Sequence, residues 1–86
     1  MKKIIGIIHP FDVLQTLYIY KDGDILTTVQ TKIDDIPKTI LNLAIAYEID
    51  QIDLAGAKNF TKGVADKINK EYSKYNLQSK LIIKYI

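Results

Sequence analysis

The only histidine, His9, stands three residues before Asp12. A carboxylate that close can hold an imidazole in one tautomer and make it a proton carrier. One histidine cannot build a multi-histidine metal site, and its plainer role is to close a strand. Further on, Lys58-Asn59-Phe60-Thr61-Lys62-Gly63 brings amide N–H groups, a hydroxyl and two ammonium groups to a predicted helix start. That set suits an anion or phosphate. The order is neither a Walker loop nor a three-glycine dinucleotide fingerprint, and a plain capped turn accounts for the same residues. Lys67, Lys70 and Lys74 share one predicted helix face, which can neutralise phosphates without reading bases, or simply be solvated. Asp53, mid-strand, needs an open face or a lysine partner. The six tyrosines offer stacking surfaces but alternate with aliphatic residues, as sheet residues do.

With 86 residues the chain is expected to form one α/β domain of modest stability. Apolar residues are 48% and charged residues 26%, a globular rather than a disordered balance. The absence of cysteine excludes disulfides and thiolate metal sites. The net charge of +2 is unevenly spread: residues 1–57 hold five lysines and eight acids, whereas residues 58–86 hold seven lysines against Asp66 and Glu71. No arginine occurs, which argues against sequence-specific DNA reading, where bidentate guanidinium contacts dominate. The opening Met-Lys-Lys followed by an apolar run imitates a signal peptide but stops at His9-Pro10. It is too short for a membrane span, so a cytoplasmic protein without membrane contact is expected.

These side chains must be positioned by a small set of elements. Lys3 to Ile8 is a nearly continuous apolar run, the pattern of a strand covered on both faces. Leu17 and Ile19 alternate with Tyr18 and Tyr20 in a second strand. Asp22-Gly23 then signals a hairpin leading to a polar edge strand over Ile25 to Thr31. Asp34 and Asp35 stand where an N-cap belongs, predicting a helix from Ile36 to Glu48. Its core stripe is Ile36, Ile40, Leu43, Ala44 and Tyr47, while Leu41, Ile45 and Ile49 form a second apolar stripe on the other side. Ile52 and Leu54 mark a fourth strand, and Val64, Ala65, Ile68, Tyr72 and Tyr75 a second helix capped by Asn59 or Thr61. Asn76 ends that helix and Leu77 to Ile86 is a last strand. Right-handed crossovers give a mixed five-stranded sheet in order 3-2-1-4-5 with two helices.

This βββαβαβ order resembles the ribonuclease H-like superfamily, which includes Holliday-junction resolvases and integrase-type nucleases. Locally, Lys3-Ile4-Ile5-Gly6-Ile7-Ile8-His9-Pro10 is similar to the resolvase first-strand pattern Ile-x-Gly-Ile-Asp-Pro-Gly with one residue inserted. The resemblance implies the fold. It places the first catalytic aspartate at His9 and a second acid near Ala55 or Gly56, so the carboxylates that two-metal cleavage requires are missing. The acid-bearing final helix has no counterpart before Ile86. The expectation is therefore a binding protein without catalytic residues, metal or cofactor, an accessory protein of the phage or mobile-element type, including those that inhibit a host factor. It acts through a protein partner or as a homodimer, with Leu41, Ile45 and Ile49 as the contact stripe. Weak nucleic-acid binding through Lys67, Lys70 and Lys74 is the alternative, and a divergent metal-dependent nuclease the third.

Overall fold

The computed structural model describes residues 1–86. Strands β1 (Lys2–Ile8), β2 (Leu14–Lys21) and β3 (Asp24–Lys32) form a meander, followed by a 3-10 turn over Ile33–Asp35. Then come α1 (Ile36–Tyr47), β4 (Gln51–Gly56), α2 (Lys58–Tyr75) and β5 (Lys80–Tyr85). The sheet order is β3-β2-β1-β4-β5, as the crossover rule requires. β1 pairs antiparallel with β2 and parallel with β4, and β5 extends the parallel half. The β2–β3 turn forms because Asp22 and Gly23 both take positive φ (53° and 89°), matching the twist of the strands they join.

Both helices lie on one side of the sheet. Ile4 and Ile8 of β1, Leu17 and Ile19 of β2, and Ile52 and Leu54 of β4 join Ile36, Ile40, Leu41 and Ala44 of α1 and Val64, Ile68 and Tyr72 of α2 in one core. The Cα envelope, 29 × 28 × 20 Å, is one sheet and one helical layer deep. Thus β1 is not covered on both faces, as its apolar run suggests. Ile4, Gly6 and Ile8 are buried, whereas Ile5 is half-buried and Ile7 is 48% exposed on a face that no element overlies.

α1 starts at Ile36 with Pro37 in its first turn, but Asp35 makes no capping bond. It ends at Tyr47 because Glu48 turns left-handed (φ 53°), and the second helix closes the same way at Asn76. That reversal takes Ile49 off the helix: its N–H bonds to the Ala44 carbonyl, and its side chain returns to the core. Leu41 is buried as well, because α1 packs on the sheet and on α2 at once. Of the three residues expected to form an outer stripe, only Ile45 is exposed, at 51%. The apolar arc is one broad core face, and the interface expected there has no surface to use.

Candidate functional site

α2 begins earlier than its polar residues suggest. β4 ends at Gly56, Ala57 is the N-cap, and Lys58 to Gly63 already lie inside the helix. Asn59 and Thr61 therefore cap nothing. The cause is a close approach of helix to sheet. A Cβ on Gly56 would stand 2.5 Å from Thr61 Oγ1 and 2.9 Å from the Ile8 carbonyl oxygen. Glycine lets the first turn of α2 settle on the ends of β1 and β4, and Thr61 faces inward, fully buried, its hydroxyl without a partner. The expected anion cradle is consequently split. Lys58, Asn59, Lys62 and Gly63 are solvent-facing and Thr61 is inside. The same crowding leaves no room at Gly56 for the second acid that the nuclease pattern would place there.

His9 and Asp12 remain exposed on the β1–β2 loop, where they line one hollow without bonding to each other's side chains. Their main chains are what is organised. Gln15, only 2% exposed, accepts the His9 N–H at its Oε1 (2.9 Å). Its Nε2 donates to the His9 and Asp12 carbonyls at 2.7 and 2.8 Å. The Asp12 N–H also reaches the His9 carbonyl (3.1 Å). One buried amide thus satisfies a loop that leaves Phe11 98% exposed and Val13 71% exposed. A loop this well bonded holds its apolar side chains in fixed positions, which lowers the ordering cost of binding.

The lysines of α2 separate too. Lys74 pairs with Glu71 (3.5 Å). Lys67 and Lys70 border a groove of about 440 Å³ between the helices, with Lys38 of α1 and the acids Asp34 and Glu71. Tyr75, placed on the buried side by periodicity, lines the same groove and is 56% exposed.

The surface that sequence reasoning missed is the open sheet face. Alternation along paired strands puts Lys3, Ile5 and Ile7 of β1 beside Tyr20, Tyr18 and Thr16 of β2. On the other side stand Gln51, Asp53 and Ala55 of β4, then Lys80, Ile82 and Lys84 of β5. Asp53 finds its partner here: Lys3 Nζ lies 3.4 Å away and Gln51 Nε2 donates to Asp53 Oδ1 at 2.7 Å. Two hollows indent the face at opposite ends of β1 and β2. One, about 440 Å³, is lined by Met1, Lys3, Ile5, Tyr20, Asp22 and Gly23. The other, about 200 Å³, includes Ile7, His9, Asp12, Leu14, Thr16 and Tyr18. The signal that could have located the face is the count of helices: two right-handed crossovers to the same side leave the other side bare.

No group of three or more His, Cys, Asp or Glu side chains is arranged to hold a metal, and no helix is long and apolar enough to cross a membrane. No protein-family model matches the chain, and no curated protein matches it. Among solved structures it is similar to a Bacteroides thetaiotaomicron protein with an actin-like ATPase fold and unknown function. The superposition has a TM-score of 0.65 at 14% identity and covers 99% of this chain but 32% of the other. At that identity the likeness is one of fold alone: an α/β sheet in order 3-2-1-4-5 with two helices, the ribonuclease H-like arrangement, spanning about a third of the longer protein.

Proposed function

We propose that this is a non-catalytic protein of ribonuclease H-like ancestry that works by binding another protein through the open face of its sheet. One observation carries the reading: three adjacent parallel strands, a kind of sheet normally covered on both faces, are covered on one. The bare side presents Ile5, Ile7, Tyr18, Tyr20 and Ile82. Contiguous exposed apolar area of this kind marks interaction sites in soluble domains. The absence of catalysis is supported by His9 and Gly56 at the two positions where the nuclease pattern requires acids.

The double substitution Ile7→Lys/Ile82→Lys tests it, since both residues are already partly solvated and the fold should survive by circular dichroism. Capture of a partner from extract of the native organism should disappear in that variant and persist in Ile45→Lys. Capture that is indifferent to the open face would overturn the reading. So would turnover of branched or duplex DNA in magnesium or manganese that is lost with His9→Ala.

A further inference from the structure

We infer that the open face receives an amphipathic α-helix of its partner, laid along β1, with apolar side chains seated in the two hollows and acidic side chains turned toward Lys80 and Lys84. The inference rests on the open face being the binding surface and adds the chemistry of the occupant.

Shape comes first. The two hollows straddle the same strand pair, one beside Lys3 and Ile5, the other beside Ile7 and His9. Their centres lie about four strand residues apart, on the order of 13 Å. That is close to the distance between positions i and i+8 of a helix rising about 1.5 Å per residue. Between the hollows, Ile5, Ile7 and Tyr18 form a low apolar ridge for the intermediate side chains. A helix about 10 Å wide spans roughly the two strand spacings from β2 across β1 to β4.

Charge then separates the possible occupants. The face carries Lys3, Lys32, Lys80 and Lys84, set by their registers opposite Gln51, Leu14, Gln51 and Ala55. Its only acid is Asp53, already paired with Lys3. Asp12 stands at the rim. A second copy of the chain would set these lysines against their own equivalents, and like charges across an interface are repulsive. A nucleic acid would match the charge but not the aliphatic centre. An apolar stripe with acidic flanks matches both.

A displayed library of helical peptides about 18 residues long, roughly the length of the face, should be panned against the intact protein. Enriched sequences are expected to converge on apolar residues at i, i+4 and i+7 or i+8, with Glu or Asp on one flank. Binding of a selected peptide should fall at least tenfold in Ile7→Lys and several-fold in Lys80→Glu/Lys84→Glu, with a weaker salt dependence in the latter. It should be unchanged in Lys67→Glu. Amide shifts should map to β1, β2, β4 and β5. No enrichment, no acidic preference, or shifts on the α1–α2 side would overturn the inference. So would self-association, measured by sedimentation, that Ile7→Lys abolishes, or RNA binding lost in the same variant. If extract capture needs Ile7 and Ile82 while no acidic helix is selected, the open face keeps its role and only this inference falls.

Discussion

Tyr72 keeps a hydroxyl in the core without a hydrogen bond. Ser79 lies beside it but commits its own proton to the Ile49 carbonyl (2.6 Å). Burial pushes the phenol above its ordinary value, with the neighbouring Ser79 hydroxyl pulling weakly the other way. The folded state therefore holds this proton longer than the unfolded chain. The associated stability is complete below the unfolded value of about 10 and is lost as pH climbs through the raised folded value. Tyr72→Phe removes an unpartnered buried hydroxyl. At neutral pH it should be neutral or stabilising by up to about 1 kcal/mol. Urea midpoints at pH 7 and about pH 10.5 should fall less between the two for the variant than for the wild type. A midpoint well below wild type at pH 7 would show that the hydroxyl is bonded after all. Tyr72 was legible as a core residue from its spacing with Ile68. Its orphaned hydroxyl was not, since that depends on where Ser79 and Ile49, distant in sequence, bring their polar atoms.

Among the elements, α1 shows how far periodicity reaches. Its spacing correctly gives Ile36, Ile40 and Ala44 as core, but cannot say whether Leu41 belongs to the same face or to another surface. Packing decides, because α2 lies against the side of α1 that carries Leu41. Leu41→Ala should cost about 2–5 kcal/mol, the range for a buried leucine that leaves a cavity. Ile45→Lys should stay within about 0.5 kcal/mol, as exposed substitutions do. Urea unfolding of the two variants measures both. Equal and small effects would restore the outer stripe as a surface. The start of α2 makes the same point from the other end. Capping residues suggest Asn59 or Thr61, but the contact made possible by Gly56 moves the N-cap to Ala57.

For the whole molecule, the charge asymmetry seen along the chain does not become a single basic surface. Lys38, Lys67 and Lys70 gather between the helices with Asp34 and Glu71 among them, while Lys80 and Lys84 belong to the other side of the sheet. Any affinity for nucleic acid should be weak at physiological salt and insensitive to sequence. Lys67→Glu/Lys70→Glu should lower it in proportion to the phosphates released, read as a shallower slope of affinity against salt. A steep salt slope unchanged by that double variant would place the contact elsewhere. The sequence by itself determined the strand order, the Asp22-Gly23 hairpin, both helices and most of the core. Each follows from local periodicity, turn stereochemistry and the handedness of crossovers, which act over a few residues at a time. Only the tertiary structure decided that β1 is covered on one face, that Asp53 pairs with Lys3, and that Gln15 holds the loop presenting Phe11. Those facts depend on which elements share a side of the sheet, and an apolar run reads the same along the chain whether one face is buried or two.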